Sequence, residues 1–319
     1  MGAGQLPGQL RDDDLPAQLS YPAQPPVPHL SNGLLFFFAS IRKKPFVLST
    51  HGSLLGYTKD PPSASRQFFY KLHDGLTFKI TAKWADAVVV SSQMEYYEAL
   101  DFGIPKDKLH IIPDGLDVSG AAVDRSSRSG SPLNLLFAGP LTRLRRVELL
   151  LRAARKLTLP FRVTLVATND IIENEGSAEY ITELKKLAKS LGIEDRVEWL
   201  GDPSAEDLEQ CYRNADLFIY PSAYETSGET LLAAAASGLP IIATPVGLAN
   251  EIISSGANGF IVPADPDMIC DRILQLGQPD MRLEFGRHIR EKVVQEFGWN
   301  AIMDRYMELY GSLKKPYTE

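Results

Sequence analysis

Short apolar runs alternate with longer amphipathic segments from residue 45 to residue 314, and this alternation constrains the fold more than any other feature of the sequence. The pattern is typical of strand–helix–strand units. The apolar runs are rich in Val, Ile and Leu and lack a polar residue at every second position, which predicts strands covered on both faces. We therefore expect an α/β fold built on parallel sheets.

The predicted strands fall into two groups, separated by the small, polar stretch SGAAVDRSSRSGSP (119–132), which is typical of a linker between domains. The first group is FVLST (46–50), AVVVSS (87–92) and LHIIP (109–113), with helices expected around 65–85 and 93–100. The second group is LNLLFAG (133–139), FRVTLVA (161–167), VEWLG (197–201), LFIYPS (217–222), LPIIATP (239–245) and GFIVP (259–263). Its helices include RRVELLLRAARKL (145–157) and SAEYITELKKLAKSLG (177–192).

This grouping predicts two doubly wound, Rossmann-like domains. The first covers residues 30–118, residues 119–132 form a linker, and the second covers residues 133–298. One or two helices are expected over 280–314, broken near Gly298, and the last of them, about 299–319, is expected to join the first domain.

The amino-terminal segment is read in two parts. Residues 1–29 are rich in Pro, Gly, Gln and Asp and predict a disordered leader. The apolar run GLLFFFASI (33–41), followed by three basic residues, is too short to span a bilayer. We interpret it as a buried helix, and peripheral membrane contact through residues 34–44 stays open as the alternative.

Composition argues against nucleic-acid binding and for a reduced compartment. The chain has 33 basic and 40 acidic residues and a formal net charge of -7, without a basic block that would indicate nucleic-acid binding. Its two cysteines, Cys211 and Cys270, and the lack of a recognisable secretion signal predict packed thiols in the cytoplasm. A small-molecule ligand is the favoured partner.

Residues directly after strands are the functional candidates, because doubly wound domains bind ligands beyond the carboxyl ends of their strands. His51 follows FVLST and precedes Gly52, where the backbone can turn sharply. The competing interpretation is a histidine that is hydrogen-bonded within a loop.

A second candidate follows the strand that ends at Gly139. Arg143, Arg145 and Arg146 lie near the start of the next predicted helix. Positive side chains oppose the helix dipole there unless an anion binds, since a helix amino terminus presents unpaired N–H groups. The cluster predicts a phosphate site, with a solvated basic patch as the alternative.

The stretch PSAYETSGET (221–230) lies between an apolar strand and an alanine-rich helix. Gly228 lets the backbone approach a ligand, and the N–H groups of Glu229 and Thr230 begin the helix. With phosphate on these amides, Glu225 is suited to accept hydrogen bonds from neutral hydroxyls beyond it. A sugar linked to a diphosphate meets both demands. The alternative is that Glu225 or Glu229 is an ordinary acid at a helix amino terminus.

Six stretches together resemble, in order and spacing, the GT-B retaining glycosyltransferases of the glycosyltransferase family 4 type, also called glycosyl transferases group 1. They are THG (50–52), ADAVVVSS (85–92), IPKDKLHIIPDGLDV (104–118), the segment from LEQCYRNADLFIYPS to ANEII (208–253), NGFIVPADP (258–266) and FGWNAIMDRYMELY (297–310). The resemblance covers about residues 45–310 and is strongest over 133–263.

The resemblance implies two Rossmann-like domains that face a cleft, and transfer of a sugar from a nucleotide diphosphate donor with retained configuration and no metal. His51 matches the family's cleft histidine, and Glu225 matches the first acid of its E-x7-E motif. The N–H groups after Gly228 match the diphosphate cradle, and Arg145 stands where the family has a phosphate-binding lysine.

Three departures from the family pattern accompany these matches. Pro140 replaces the family's usual arginine, and Ala233 replaces the second acid of the motif, which holds the ribose. Arg143 is the candidate substitute for the missing arginine. The first domain is also short, because family members carry a glycine-rich loop and further strands before the segment that corresponds to FVLSTHG, so we describe it as truncated.

The resulting hypothesis is a retaining glycosyltransferase of class EC 2.4 that moves a sugar to an acceptor hydroxyl on a sugar or a lipid-linked molecule. The predicted catalytic residues are His51 and Glu225. The predicted donor-binding residues are Gly52, Gly139, Arg143, Arg145, Gly228, Glu229 and Thr230, with no metal or cofactor. The alternatives are an impaired relative that serves as a binding or scaffold subunit, and a nucleotide-sugar epimerase of the same shape.

Overall fold

The computed structural model describes residues 17–20, 44–50, 79–117, 132–168, 175–201, 203–225 and 228–313. These residues belong to two compact units. The first contains the described parts of Met1–Ser91, Glu95–Ile112 and Met303–Glu319, and the second contains those of Ser92–Met94 and Pro113–Ile302.

The first unit is built on a four-stranded parallel sheet in the order β1-β2-β3-β4. The elements in this part of the chain are β1 (Ala17–Ser20), β2 (Phe46–Ser49), α1 (Lys79–Trp84), β3 (Ala87–Val90), α2 (Gln93–Phe102) and β4 (Leu109–Ile111). All residues of β2 and β3 are buried, as expected for strands covered on both faces. Their side chains pack with those of α1 and α2 in one core.

Strand β1 corrects one prediction. It lies within residues 1–29, which were expected to be disordered, and it pairs in parallel with β2 from Ala17 opposite Phe46 to Ser20 opposite Ser49. The sequence AQLS carries little local signal, and its strand state depends on backbone hydrogen bonds to a segment far along the chain. The prediction of disorder is therefore wrong for these four residues.

The second unit is a six-stranded parallel sheet with helices on both faces. Its first elements are β5 (Leu133–Gly139), α3 (Val147–Arg155), β6 (Phe161–Ala167), α4 (Glu175–Ser190), β7 (Val197–Gly201), α5 (Ala205–Asn214), β8 (Leu217–Tyr220), α6 (Glu229–Ala236) and β9 (Ile241–Ala243). They are followed by α7 (Ala249–Ile252), β10 (Gly259–Ile261), α8 (Pro266–Gln275), α9 (Pro279–Phe297) and α10 (Trp299–Leu313), the last of which belongs to the first unit from Met303 onward.

The strand order β10-β9-β8-β5-β6-β7 places the ligand crevice. Read from β7, it is the doubly wound order 3-2-1-4-5-6, in which the order of successive strands across the sheet reverses between the first and fourth strands. Those strands are β5 and β8, which pair directly. A ligand is expected at their carboxyl ends, where the two following loops part.

The two faces of this sheet bury separate sets of side chains. Leu135 and Phe137 of β5 pack with α3, α4 and α8, whereas Leu136 and Ala138 pack with α5, α6 and α9. Burial of a large apolar side chain contributes about 1.5–3 kcal/mol, so two such cores hold the strand ends in place. The sequence pattern without alternation correctly predicted this two-sided burial.

Most predicted elements are confirmed, with shifts at their ends. Strands β5, β6 and β7 have the predicted bounds, and a break at Gly298 separates α9 from α10. The helix predicted from residue 145 begins at Val147, because Arg146 has a left-handed backbone with φ 47° and follows a 3-10 turn at Arg143–Arg145. The GLLFFFASI run lies outside the described residues, as does the linker except for Pro132.

No helix among the described residues combines the length and apolar character needed to cross a membrane. Cys211 and Cys270 are free thiols, and Cys270 is buried. Both observations concern only the parts of the chain that the structure describes.

Candidate functional site

The loops that leave β5 and β8 meet at the expected crevice of the second unit. The Ala223 backbone N–H, after β8, donates to the Leu144 carbonyl, after β5, at 2.6 Å. This hydrogen bond joins the two segments in which the sequence placed its phosphate and sugar candidates.

A charged pair lies at this junction. The Arg145 guanidinium forms an ion pair with the Glu225 carboxylate, and the two side chains are 16% and 15% exposed. The Tyr220 hydroxyl donates to Glu225 Oε2 at 2.7 Å, and Arg145 Nη1 donates to the same hydroxyl at 3.3 Å. Tyr220 is the last residue of β8 and is 1% exposed. The three side chains are called the Arg145–Tyr220–Glu225 triad below.

Arg145 and Tyr220 both keep their protons near neutral pH. Burial lowers the pKa of Arg145, but the adjacent Tyr220 and Glu225 outweigh this effect and leave its pKa above the ordinary value. Burial also raises the pKa of Tyr220 well above its usual range, as does the charge of Glu225. Arg145 is therefore a cation and the Tyr220 hydroxyl carries its proton.

The amino terminus of α6 lies next to the triad. Gly228 precedes the helix with φ 90°, a conformation that costs an L side chain roughly 1–2 kcal/mol. A Cβ placed on Gly228 would lie 3.9 Å from the Tyr220 hydroxyl oxygen and 3.5 Å from Leu231 Cβ. The first-turn amides of Glu229 and Thr230 thus begin beside the charged pair, and such amides favour anions.

Two features of this site were missed from the sequence. Gly247, in the loop between β9 and α7, has φ 50°, and a Cβ there would lie 3.2 Å from Glu225 Cγ. Thr244 Oγ1 donates to the Ser222 carbonyl at 2.5 Å and to the Tyr220 carbonyl at 3.2 Å. Both Thr244 and Gly247 follow β9, so the rule that functional residues follow strands would have included them.

The Ser222 hydroxyl is a further feature of the loop after β8. Ser222 is 1% exposed, and its side-chain oxygen has no hydrogen-bond partner among the described residues. Buried hydroxyls are generally satisfied, so this one is an exception in the loop after β8.

The predicted arginine cluster divides into two. Arg143 is exposed, pairs with Glu183 of α4 at 2.6 Å, and stacks over the Tyr180 ring at 5.6 Å from its centroid. Arg145 instead pairs with Glu225. The structure therefore brings Arg145 to the α6 terminus and directs Arg143 to α4, and the donor-binding role of Arg143 stays a prediction.

The other predicted residues are partly described. Gly139 ends β5 with φ 151°, and its carbonyl accepts from the Thr168 N–H at 3.3 Å. Pro140 follows it and has no backbone N–H to offer an anion. His51 and Gly52 lie outside the described residues, which end at Thr50 in this part of the chain. Among the described residues, no group of three or more His, Cys, Asp or Glu side chains is arranged to hold a metal ion.

A groove of about 860 Å³ in the same unit runs along β5, β6 and β7 beside α5. Its lining includes Asn134, near the amino end of β5, and Gly201, at the carboxyl end of β7. Some of its polar groups are paired with neighbours, since Asp216 accepts from Asn134 Nδ2 at 3.1 Å and Asp207 forms a capping box with Ser204.

A buried carboxylate in the first unit was also missed from the sequence. Glu95, in the first turn of α2, is fully buried and joins the carboxyl ends of β2 and β3. It accepts from Thr50 Oγ1 at 2.6 Å, from the Ser91 N–H at 2.6 Å and from Ser91 Oγ at 2.7 Å. Through Thr50, this network holds the end of the strand that leads to His51.

Glu95 makes the stability of the first unit depend on pH. Burial raises its pKa above the ordinary value of 4.5, against the hydrogen bonds from Ser91 and Thr50, which lower it. Between these two pKa values the folded state binds more protons than the unfolded state, so the free energy of unfolding falls as the pH rises. The stabilising contribution of protonated Glu95 is fully present below pH 4.5. It is lost as the pH rises through the pKa that Glu95 has in the folded state.

We expect Glu95→Gln to remove this decline, whose slope is at most about 1.4 kcal/mol per pH unit. Urea unfolding followed from pH 4 to pH 8 measures it. Asp101→Asn changes an exposed acid on the same helix and is expected to keep the wild-type slope. An unchanged slope in Glu95→Gln would contradict the assignment.

Two family models match the chain. The model described as Glycosyl transferases group 1 matches residues 132–278. The model described as Glycosyltransferase Family 4 matches residues 22–119. They follow each other in chain order and together cover most of the sequence.

Proteins of similar sequence are named as glycosyltransferases. The chain is 25% identical over 290 residues to the uncharacterized glycosyltransferase MJ1607 of Methanocaldococcus jannaschii, covering 85% of this chain and 70% of that protein. It is 28% identical over 247 residues to the D-inositol 3-phosphate glycosyltransferase of Corynebacterium urealyticum, covering 72% of this chain and 57% of that protein. The chain thus spans less than two thirds of the length of the second relative.

Similar structures support the fold. Sucrose-phosphate synthase from Thermosynechococcus elongatus has a TM-score of 0.72 at 24% identity, covering 93% of this chain and 73% of that one. Anabaena HepE in complex with UDP-glucose has a TM-score of 0.72 at 20% identity, covering 88% of this chain and 76% of that one. With both family models matched in order on parallel α/β sheets of the GT-B fold, these findings support a glycosyltransferase of the family 4, group 1 type.

Proposed function

We propose that this protein is a retaining glycosyltransferase of class EC 2.4 that transfers a sugar from a nucleoside diphosphate donor to an acceptor hydroxyl. The observation that carries the proposal is the Arg145–Tyr220–Glu225 triad beside the α6 amino terminus, at the reversal point of the second sheet. Bound UDP and UDP-glucose in the HepE structures support a donor of this class.

The donor diphosphate is proposed to bind the first-turn amides of α6. An anion there gains from the helix dipole and from N–H groups that the helix leaves unpaired. Arg145 supplies the positive charge that balances the departing diphosphate. In this proposal no metal has that task, so turnover is expected to persist in EDTA.

Glu225 is proposed to bind the sugar. A carboxylate accepts hydrogen bonds and donates none, so it suits neutral sugar hydroxyls and repels the phosphates. In the structure the Glu225 carboxylate forms an ion pair with Arg145. Donor binding is therefore proposed to exchange partners: the phosphate takes the guanidinium, and the sugar hydroxyls take the carboxylate. The predicted role of His51 in supporting the donor sugar is retained in the proposal.

A second candidate function is a binding or scaffold subunit without turnover. Pro140 and Ala233 favour it, because neither residue can make the charged contacts that the family pattern has at these positions. Ala233 packs against the core below α6 and offers only a methyl group. Pro140 removes the contact of the family's arginine, and Ala233 removes the contact to the ribose. Neither position is part of the triad.

Ligand-dependent stability separates the two candidates. We expect UDP, GDP or ADP, added to the full chain, to raise the unfolding midpoint, since a ligand at 100 times its Kd stabilises by about 2.7 kcal/mol. Release of nucleoside diphosphate from the matching nucleotide sugar then distinguishes transfer from binding alone. No midpoint shift with any nucleoside diphosphate would contradict the proposal, and a shift without turnover would support the scaffold.

The acceptor is proposed to be a sugar or a lipid-linked molecule, with peripheral membrane contact through residues 34–44. The relative named for D-inositol 3-phosphate makes that compound a useful first acceptor to try. Co-sedimentation of the full chain with anionic vesicles tests the membrane contact.

A further inference from the structure

Tyr220 occupies an unusual position for a tyrosine in a sheet core. Its ring is fully buried at the end of β8 and stacks on Phe218 with 6.0 Å between ring centroids. Its hydroxyl is the one polar group of the side chain, and it meets both charged members of the triad. The ring is fixed by packing, so the hydroxyl has a defined position.

The Tyr220 hydroxyl is a partner that Glu225 can keep once a donor binds. Arg145 Nη1 and the Tyr220 hydroxyl both contact Glu225 Oε2. If a diphosphate takes the guanidinium, the carboxylate loses this ion pair while negative charge arrives nearby. Phosphate repulsion then acts to push the carboxylate away from the sugar. The hydroxyl of Tyr220 can keep its hydrogen bond to Oε2, because it carries no charge and sits on a rigid strand end.

Gly247, in the loop after β9, lies close to the stem of the Glu225 side chain. A Cβ on Gly247 would lie 3.2 Å from both Glu225 Cγ and the Glu225 carbonyl oxygen. The stem of Glu225 thus packs against this loop, and the Tyr220 hydroxyl contacts the carboxylate at Oε2.

We propose that Tyr220 is a positioning residue, which keeps the Glu225 carboxylate aimed at the donor sugar after Arg145 has turned to the diphosphate. The inference rests on the proposed function. Tyr220 then favours binding of a sugar nucleotide over the bare nucleoside diphosphate. The diphosphate itself is bound by Arg145 and the α6 amides.

The test compares two affinities in one variant. Tyr220→Phe keeps the ring and deletes the hydroxyl. Calorimetry measures the Kd values of UDP and UDP-glucose, with GDP and GDP-mannose or ADP and ADP-glucose as the further pairs. We expect the Kd of the diphosphate to change less than about threefold. The ratio of the two Kd values should shift about tenfold against the sugar nucleotide, the effect of losing a hydrogen bond to a charged group.

Tyr212→Phe is the matched control. It deletes another buried hydroxyl of the same core, one that donates to the Thr230 carbonyl at 3.3 Å. We expect it to keep the wild-type ratio. If Tyr220→Phe fails to fold, Glu225→Asp draws the carboxylate back from the hydroxyl by one methylene and has to show the same shift in the ratio.

A double-mutant cycle separates positioning from a general structural effect. In a Glu225→Gln background, Tyr220→Phe is expected to add little further loss in the ratio, because the hydroxyl acts through the carboxylate. Independent, additive losses would overturn the inference, as would an unchanged ratio in a Tyr220→Phe protein that binds UDP. Failure of the wild-type chain to bind any nucleotide pair would overturn the proposed function and this inference together.

Discussion

Glu225→Gln is expected to slow sugar transfer by about 10²–10³-fold, while the affinity for the bare nucleoside diphosphate stays the same or increases. The carboxylate is proposed to hold the sugar, and its loss removes an interaction that the diphosphate does not make. Glu225 also forms an ion pair with Arg145, so its neutralisation is expected to make the guanidinium more available to phosphate. Steady-state kinetics with the donor and calorimetry with the diphosphate measure the two effects.

Glu209→Gln is the control for this variant. Glu209 forms an exposed i,i+4 pair with Arg213 on α5, so its neutralisation is expected to change neither quantity measurably. A Glu225→Gln protein that loses diphosphate affinity and turnover to the same extent would contradict the role assigned to the carboxylate. It would place Glu225 among the phosphate-site residues or among those needed for folding.

Arg145→Gln is expected to lower both the stability and the diphosphate affinity. It removes the Arg145 partner of the 15% exposed Glu225 carboxylate, and removal of one partner of a buried pair typically costs about 3–5 kcal/mol. The residual exposure of the pair to solvent reduces that figure. Loss of the phosphate cation is expected to weaken diphosphate binding by about 10²-fold. Urea unfolding and calorimetry measure the two losses.

The double variant Arg145→Gln with Glu225→Gln gives the sharper result. Since both charges are then absent, its stability is expected to recover most of what Arg145→Gln lost, whereas diphosphate affinity is expected to stay low. Arg213→Gln is the control, because its partner Glu209 is exposed and such pairs contribute about 0–1 kcal/mol. If Arg145→Gln binds diphosphate as well as the wild type does, another group neutralises the phosphates.

The ion pair of Arg145 and Glu225 could not be predicted from the rule that functional residues follow strands. Both residues were selected because they follow strands, and both lie at the junction of β5 and β8. Their ion pair was not foreseen, because it joins residues 80 positions apart in the chain. It depends on the register of two strands that are adjacent in the sheet and distant in sequence. Arg143, two residues before Arg145, instead pairs with Glu183 of α4.

Tyr220, Gly247 and Glu95 were missed for related physical reasons. Tyr220 reads as one more apolar residue of a buried strand, and only its position as the last residue places its hydroxyl at the crevice. Nothing in the sequence distinguishes Gly247 from the other glycines, and only the loop after β9 places it close to Glu225. Glu95 reads as a favourable acid in the first turn of a helix, and its burial appears only when β2 and β3 bring Thr50 and Ser91 to it.

Local chemistry in the sequence determined the α/β class, the parallel character of both sheets, the first residue of most strands and the glycine that opens α6. These features depend on residue spacing and backbone preference over a few neighbouring positions. Tertiary structure alone decided the pairing of Ala17–Ser20 with Phe46–Ser49, the order of strands that locates the crevice, and the partners of Arg145, Arg143 and Glu95. These depend on hydrogen bonds and charges between residues far apart in the chain, whose distances no local pattern specifies.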